Sequence, residues 1–308
     1  MPAPFFMSSG DLIADKRYDF ARDLQLRGDL EGAADLMAQA AELAPNFASA
    51  WFALGELKQE LNLHGEAIKA YRKAIEADPL DRHGAKLRLM RLGVEKLSDM
   101  PPAYVQSLFD QYAPRFEDAL INDLGYRGPQ VLLNAVVAAC HTGKRPPFFK
   151  RALDLGCGTG LAARAFARNA DEFVGIDLSP GMIAKARQTG LYARLEVADM
   201  VQGLAHEPAE RFDLVLSADA IIYLPDLAPV LKQIARVLQP GGIAAFTTET
   251  HSGDGVIIGA GFRYAHGAKH VRDAIAAGGL TLCRLEDVST RNENNAPVPG
   301  LVAIARKP

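Results

Sequence analysis

The sequence predicts a doubly wound α/β domain with a parallel sheet, and a smaller all-α domain before it. The segment from Arg151 to Asp177 carries an apolar run, three glycines, a helical stretch, a second apolar run and a final carboxylate. Further short apolar runs alternate with amphipathic stretches to the end of the chain. Such alternation is typical of a parallel sheet with helices on both faces. Residues 16–97 instead have only helical periodicity.

Composition narrows the classes of function. The chain has 308 residues, 49% of them hydrophobic and 23% charged, which suits two globular domains. A net charge of -3 gives no basic footprint, so we expect no nucleic-acid partner. Cys140, Cys157 and Cys283 are isolated, which indicates no metal site and a reducing, cytoplasmic setting. We expect no membrane span and no targeting segment.

The first domain contains two segments that repeat with a spacing of 34 residues. Small residues let the two helices of each segment pack closely, and a proline ends each second helix. The matching positions are Trp51, Leu54, Gly55, Ala67, Tyr71, Ala74 and Pro79 in the second copy and Arg17, Phe20, Ala21, Ala33, Met37, Ala40 and Pro45 in the first. The pattern resembles tetratricopeptide repeats, more closely in the second copy, and Arg17 at the tryptophan position suggests an exposed or capping end.

We expect a helix over His83 to Leu97 to cap this array, because so few repeats cannot bury their own ends. The repeats provide either a groove for a protein or peptide partner, or a packing and homodimerisation surface. Met100-Pro101-Pro102 is the expected domain break, which gives domains of residues 1–100 and 101–308. Residues 103–140 form two helices, with Tyr112 and Phe116 either packing the helices or belonging to a lid.

Seven strands are predicted in the second domain, at residues 151–155, 173–177, 195–198, 212–217, 243–248, 281–286 and 301–305. Helices are predicted over Leu161–Asn169, from Pro180, over Asp226–Leu238 and over Ala268–Ala277, with Ser179 as an N-cap. The last two strands have no clear helix between them, so we expect an antiparallel edge.

The glycine turn is Gly156-x-Gly158-x-Gly160. It lacks the G-x-G-x-x-G spacing of dinucleotide sites and the Lys-Ser or Lys-Thr pair of phosphate loops. Asp154 precedes the turn and would repel a pyrophosphate, whereas it suits a cationic ligand such as an ammonium or a sulfonium. These features favour S-adenosylmethionine over NAD.

Five ordered motifs resemble those of class I S-adenosylmethionine-dependent methyltransferases. They are LDLGCGTG at 153–160, VGIDLSPGMIAKAR at 174–187, Asp199-Met200, FDLVLSADAIIYL at 212–224 and LQPGGIAAF at 238–246. The resemblance implies a Rossmann-like, seven-stranded domain with an antiparallel last strand. Together with the repeats, the chain is similar to bacterial methyltransferases that carry tetratricopeptide repeats, and 103–140 is implied to be a helical lid.

The resemblance also implies the cofactor contacts. Backbone at Gly156, Cys157 and Gly158 lies against the methionine part, Asp154 holds the ammonium directly or through water, and Asp177 takes the ribose hydroxyls. The remaining implied contacts are Tyr112, Gly160, Leu178, Met182, Asp199, Met200, Ser217 and Ala218. Cys157 is interpreted as a small packing residue rather than a nucleophile, because no base has a fixed spacing to it.

Methyl transfer from a sulfonium needs no general acid, so no catalytic residue has a fixed motif. Candidates lie after the fourth and fifth strands, where acceptor loops usually sit: Tyr223, His251 and His266 for catalysis. Arg263, Arg291 and His266 are candidates for acceptor binding, the arginines as a clamp for a carboxylate or phosphate. Surface solvation or capping are the competing interpretations. A cofactor-binding scaffold without methyl transfer, and an enzyme with an altered cofactor, are the alternative functions.

Overall fold

The structure is a computed structural model that describes residues 5–118 and 124–308. The chain forms two compact units, Met1–Leu108 and Phe109–Pro308. Their division lies inside the helix Pro102–Tyr112, whereas the predicted break at Met100 lies just before that helix. Within the described ranges, no helix combines the length and the apolar character that crossing a lipid bilayer requires.

The first unit is a succession of helices. Their bounds are α1 (Leu12–Leu26), α2 (Leu30–Leu43), α3 (Ala48–Glu60), α4 (His64–Ala77) and α5 (Ala85–Arg91). Helix α1 packs on α2, α2 on α3, and α3 on α4. A Cβ atom on Gly55 would lie 2.5 Å from the Tyr71 ring, so the close approach of α3 and α4 requires glycine. The expected capping helix is shorter than predicted, because Gly84 and Gly93 adopt left-handed φ angles of 76° and 74° around α5.

Helices also open the second unit. α6 (Pro102–Tyr112) spans the boundary between the two units, and a 3₁₀ turn follows at Ala113–Arg115. α7 (Phe116–Asp118) ends at the last described residue before residue 124. The last part of the helix predicted from Ala103 to Leu124 therefore lies outside the described residues. α8 (Gly128–Thr142) confirms the second helix of this segment.

The described residues of the second unit contain eleven strands: nine form the main sheet, seven of them along its main path, and two form a separate pair. The strands are β1 (Phe149–Leu155), β2 (Ala170–Asp177), β3 (Tyr192–Val197), β4 (Phe212–Ser217), β5 (Leu238–Glu249), β6 (Val256–Ile258), β7 (Tyr264–His266), β8 (Thr281–Val288), β9 (Asn292–Glu293), β10 (Ala296–Pro297) and β11 (Gly300–Arg306). The intervening helices are α9 (Leu161–Phe166), α10 (Pro180–Gln188), α11 (Met200–His206), α12 (Ala228–Val237) and α13 (Ala268–Ala277).

The strand order is β3-β2-β1-β4-β5-β11-β8, which confirms the doubly wound class. Strands β1 to β5 pair in parallel, and β11 is antiparallel to both β5 and β8. The two strands predicted at the end of the chain, β8 and β11, thus form an antiparallel pair at one end of the sheet, with β8 at its edge, which confirms the antiparallel edge that we predicted. Two short hairpins, β6 with β7 and β9 with β10, were not predicted.

Hydrophobic residues cover both faces of the sheet. Leu153 and Leu155 of β1 belong to one core cluster, while Ala152, which alternates with them along the pleat, belongs to the other. Because successive side chains of a strand point to opposite faces, β1 is buried on both sides. The carboxyl ends of β1, β2 and β4 therefore meet at one edge of a rigid sheet, where the candidate site lies.

Candidate functional site

The glycine turn between β1 and α9 is built from backbone that only glycine adopts readily. Gly156, Gly158 and Gly160 have φ angles of 66°, 52° and 93°. The amides of Gly156 and Cys157 donate to Ile176 O at 2.8 and 3.1 Å, which ties the turn to the end of β2. A Cβ atom on Gly156 would lie 2.3 Å from the Cβ atom of Ala220, so the segment after β4 leaves no room for a side chain.

Asp177 ends β2 beside this turn. Its Oδ2 accepts from the amide of Gly158 at 2.8 Å, and its Oδ1 accepts from the amide of Ser179 at 2.9 Å. Burial raises the pKa of Asp177, and these backbone bonds oppose that rise. Each carboxylate oxygen retains a lone pair, so the residue can still accept hydrogen bonds from a diol.

Asp154 lies under the turn and is 1% exposed. Its Oδ2 accepts from the Tyr192 hydroxyl at 2.7 Å, whereas its buried Oδ1 has no hydrogen-bond partner among the described residues. Burial raises the pKa of Asp154 to about 7, and the charge of Asp177 adds to the rise, whereas the hydrogen bond from Tyr192 and the nearby backbone amide of Ala163 oppose it. A buried carboxylate oxygen without a donor is the feature that a cationic ligand satisfies.

A cap at α10 joins the helical segment to the site. Ser179 Oγ accepts from the amide of Met182 at 3.0 Å and donates to Asp110 Oδ1 at 2.5 Å, and the amide of Gly181 donates to the same oxygen at 3.0 Å. Asp110 is a residue that the sequence analysis missed, because nothing local links it to Ser179, 69 positions away. The predicted contacts Met182, fully buried, and Leu178, half-buried, flank this cap.

The predicted adenine-side residues follow β3. Asp199 Oδ1 accepts from the amides of Val201 and Gln202 at 2.9 and 3.2 Å and so caps α11. The terminal methyl of Met200 lies 3.2 Å from the position of a Cβ atom on Gly156. Met200 therefore contacts the glycine turn, and Asp199 keeps its second carboxylate oxygen outside the cap.

The end of β4 closes another side of the turn. Ser217 is buried and donates to Leu155 O at 3.1 Å, with half-buried Ala218 beside it. Cys157 packs with Ile183 and Ala186, and burial raises the pKa of its thiol well above the ordinary value. A protonated, packed thiol is a poor nucleophile, which agrees with the interpretation of Cys157 as a packing residue.

Aromatic rings of the predicted lid segment pack together, and one of them approaches the turn. The Phe109 ring is 5.4 Å from that of Tyr223 and 6.0 Å from that of Phe116. An atom of the Phe116 ring lies 3.7 Å from the position of a Cβ atom on Gly158. Tyr112 is half-buried, and burial raises the pKa of its hydroxyl. The structure thus brings Phe116 of the predicted lid to the glycine turn and Tyr223 to Phe109.

The two arginines predicted to clamp an acceptor are already paired. Arg263 Nε donates to Glu249 Oε1 at 2.5 Å and Arg291 Nε donates to Glu293 Oε1 at 3.0 Å. Arg263 also pairs with Glu293 and Arg291 with Glu249, so each guanidinium bridges both carboxylates. Asp219 Oδ2 lies 3.7 Å from Arg291 Nη1. We call these five residues the ion network; its pairing conflicts with a free anion clamp, because the carboxylates occupy the arginines.

The two candidate histidines are also engaged within the protein. His266 is fully buried, its Nδ1 lies 2.7 Å from Thr248 Oγ1, and its Nε2 lies 2.9 Å from Leu224 O. Burial lowers the pKa of His266 to about 4, so the ring is neutral. The geometry therefore places His266 in the scaffold rather than against an acceptor, contrary to our expectation. His251 is half-buried, and its Nδ1 accepts from the amide of Gly253 at 3.1 Å.

Two residues near the glycine turn escaped the sequence analysis. Asp219, directly after β4, has a left-handed φ of 52°, and Thr247 Oγ1 both accepts from its amide at 2.8 Å and donates to its carboxylate at 2.7 Å. Burial and the charge of Asp219 raise the pKa of Tyr126, which lies near Asp154 as well. Asp219 could have been found from the sequence, because it is a carboxylate directly after a predicted strand. No sequence pattern pointed to Tyr126.

Comparisons with known proteins agree with this geometry. Residues 153–246 match the family described as "Methyltransferase domain", and residues 48–79 match "Tetratricopeptide repeat". Human methyltransferase-like protein 27 is 32% identical over 55% of this chain and 68% of its own length. The ubiquinone biosynthesis O-methyltransferase of Xylella fastidiosa is 37% identical over 37% of this chain, and the match spans 49% of that relative.

A solved structure has a similar fold. The 1,6-didemethyltoxoflavin-N1-methyltransferase of Burkholderia thailandensis, with bound 1,6-didemethyltoxoflavin and S-adenosylhomocysteine, has a TM-score of 0.53 at 18% identity. The alignment covers 70% of this chain and 93% of that one. At this identity the likeness concerns the fold.

The fold, the glycine turn with its two flanking carboxylates, and the relatives define one class. The chain belongs to the S-adenosylmethionine-dependent methyltransferases and carries a tetratricopeptide repeat before the methyltransferase domain. The cofactor of this family is S-adenosylmethionine.

Proposed function

We propose that the protein transfers a methyl group from S-adenosylmethionine to an acceptor held beyond the carboxyl ends of β4 and β5. The observation that carries the proposal is the unpartnered, buried Oδ1 of Asp154 beneath a turn whose Gly156 admits no side chain. An ammonium group would supply the missing donor, and the bare backbone lets a ligand approach. The residues present therefore fit this cofactor.

Each part of the cofactor has a proposed holder. Asp154 and the backbone of Gly156, Cys157 and Gly158 hold the methionine part, and Asp177 accepts from the ribose hydroxyls. Asp199 accepts from the adenine amino group with its free oxygen. Leu178, Met182, Met200 and Tyr112 give apolar contact, while Gly160, Ser217 and Ala218 shape the walls. When bound, the cofactor supplies a methyl group on a sulfonium, an activated centre with a neutral leaving group.

The protein contributes alignment and exclusion of water. The rings of Phe109, Phe116 and Tyr223 form an apolar wall that reaches the glycine turn. In-line displacement is accelerated when donor and acceptor are held in line within a dry site. A base is needed only for an acceptor that must lose a proton, for which Tyr223 and His251 stay candidates.

The acceptor itself is proposed to carry no anionic group where it meets the ion network. Three carboxylates, Asp219, Glu249 and Glu293, face two guanidinium groups there, so these described groups sum to one negative charge. A carboxylate or phosphate would have to displace a bound side chain. Arg263 and Arg291 are thus proposed to order the wall of the acceptor site, and a neutral hydroxyl or an amine suits it better.

Labelled-methyl transfer to lysate metabolites and proteins tests the proposed reaction. We expect labelled products with the wild type and a loss of at least tenfold with Asp177→Ala, since Asp177 organises the turn. Asp171→Ala is the matched control, because Asp171 is exposed at the opposite end of the same strand. Cofactor binding without any labelled product would favour a scaffold, and equal activity of the two variants would contradict the site.

A further inference from the structure

The segment before α1 lies in an extended conformation against the helical repeats. Residues 5–9 belong to no helix or strand. Phe5, Met7 and Ser9 are half-buried, whereas Phe6 and Ser8 between them are exposed. Because successive side chains of an extended chain point to opposite sides, this alternation indicates that one side of the segment rests on a surface. We call residues 5–9 the strap.

The middle of the strap is held by a row of equivalent positions in the repeats. Asp15, Ser49 and His83 are separated by the repeat length of 34 residues, and we call them the repeat row. The amide of Met7 donates to Ser49 Oγ at 2.8 Å, and Met7 O lies 3.2 Å from the same hydroxyl. His83 Nε2 lies 3.0 Å from Ser49 Oγ. Ser49 therefore contacts both polar groups of the Met7 main chain and links them to the next position of the row.

The outer positions of the repeat row hold the two ends of the strap. The amide of Ser9 donates to Asp15 Oδ1 at 2.8 Å, and the Ser9 hydroxyl donates to the same oxygen at 2.6 Å. The His83 side chain hydrogen-bonds the backbone of Phe5, and the two rings lie 5.1 Å apart, edge to face. The strap thus advances by two residues for each repeat, from Ser9 to Phe5, so its main chain follows the array.

Aromatic residues at a second pair of equivalent positions line the repeat row. Tyr18 and Phe52 are also 34 residues apart. The Phe6 ring lies 5.1 Å from that of Tyr18, and the Phe52 ring lies 5.4 Å from that of His83. Rings at such separations pack favourably. The face that the strap covers therefore combines polar groups for a main chain with an aromatic wall for side chains.

Side chains of the repeats hold the strap in place. In the described part of the first unit, no backbone-to-backbone hydrogen bond joins residues 5–9 to the helices. Displacement of the strap would therefore break no strand pairing and no helix. It would leave Ser49 and His83, which are 1% and 7% exposed, without the main chain that they now contact. Buried polar groups require partners, so the opened face favours an occupant with a free main chain.

We infer that the strap closes a peptide-binding face of the repeats, and that a partner gains access by displacing it. The partner is an extended segment with apolar side chains at alternate positions, because such a chain reproduces the contacts of Phe5 and Met7. Contacts to main-chain groups tolerate changes of sequence, so the segment need not repeat the strap residue by residue. The inference is independent of the proposed methyl transfer.

Competition between the strap and an added peptide tests the inference. A fluorescein-labelled peptide with the sequence of residues 5–11 is titrated with the full chain, and its anisotropy is measured. Phe5→Ser together with Met7→Ser removes the inward apolar side chains of the strap, and we call this chain the opened variant. We expect it to bind the peptide roughly tenfold more tightly than wild type, because a tethered strap competes at a high effective concentration. Leu26→Ser, which alters an 86% exposed side chain outside the strap, is the matched control and should bind like wild type.

Two further measurements identify the face and guard against a loss of folding. Adding Ser49→Ala to the opened variant is expected to weaken peptide binding roughly tenfold, since contacts to the peptide main chain are lost. In wild type without peptide, hydrogen exchange of the Met7 amide, measured by NMR, is expected to be roughly tenfold slower than in Ser49→Ala. Circular dichroism checks that each variant is folded.

Three results would overturn the inference. Equal peptide binding by wild type and the opened variant would contradict the strap. A folded opened variant that does not bind the peptide, or that binds it equally well with Ser49→Ala, would contradict the peptide-binding face. A wild-type Met7 amide that exchanges as fast as in an unstructured peptide would refute the closed state, whether or not the variants fold.

Discussion

The substitution Asp154→Asn tests two consequences of burying a carboxylate beneath the glycine turn: the pH dependence of stability and the affinity for the cofactor. Burial raises the pKa of Asp154 from 3.8 to about 7. A raised carboxyl pKa favours the protonated folded state, so this stability is fully present below pH 3.8 and is lost as pH rises through about 7. Between pH 5 and 7, a span of about two pH units, the wild type therefore loses ~3 kcal/mol of unfolding free energy.

The uncharged amide removes this pH dependence. As the pH rises from 5 to 8, we expect the wild type to lose up to ~3 kcal/mol of unfolding free energy that the Asp154→Asn variant keeps. Urea unfolding at both pH values measures it, and comparison across pH cancels any packing cost that the amide adds. Asp171→Asn, an exposed carboxylate, is the control and should show no such shift.

The same variant must lose cofactor affinity. Calorimetry should show S-adenosylmethionine binding at least tenfold weaker, because the amide gives the ammonium no charge, while 5′-methylthioadenosine, which lacks the ammonium, binds nearly as before. A stability difference that does not change with pH, or equal losses for both ligands, would refute the reasoning.

Three further outcomes are expected. Gly156→Ala should weaken S-adenosylmethionine binding at least tenfold, because its Cβ atom would lie 2.3 Å from that of Ala220, and adding Ala220→Gly should recover part of the loss in calorimetry. Tyr192→Phe should weaken S-adenosylmethionine more than 5′-methylthioadenosine, since it removes the hydrogen bond to Asp154 Oδ2; equal weakening would argue against that role. His266, whose pKa is lowered to about 4, stabilises the fold above pH 6.5 and loses that contribution as pH falls. His266→Gln should therefore remove ~2 kcal/mol of the destabilisation that wild type shows in urea between pH 6.5 and 5, whereas an unchanged acid response would contradict its buried, neutral state.

Much of the donor side was predictable from sequence because its signals are local. An apolar run, glycines with positive φ and a carboxylate at the next strand end specify β1, the turn and Asp177 within 27 residues, Arg151 to Asp177. Strand β4 was predicted with its observed bounds, because apolar residues end at Ser217 before a change in pattern. Strand β5 begins earlier than predicted, since Gln239-Pro240-Gly241-Gly242 indicated a turn but lies within the strand, next to a shift in register with β4.

The acceptor side was not predictable, since its contacts join distant parts of the chain. Arg263 and Arg291 have the residue type of an anion clamp, and only the fold shows that Glu249 and Glu293 occupy them. The position of β11 between β5 and β8 likewise depends on pairing between distant strands, and no local sequence pattern encodes that pairing. The Asp110 bond to Ser179 is of the same kind.

Calorimetric titration of the full chain with S-adenosylmethionine, S-adenosylhomocysteine and NAD tests the central assignment most directly. We predict that the two sulfur ligands bind one to one and that NAD does not. Asp177→Ala should weaken both at least tenfold, while Asp171→Ala should bind like wild type. Absence of binding by both sulfur ligands, or a preference for NAD, would contradict the account of the glycine turn and its two carboxylates.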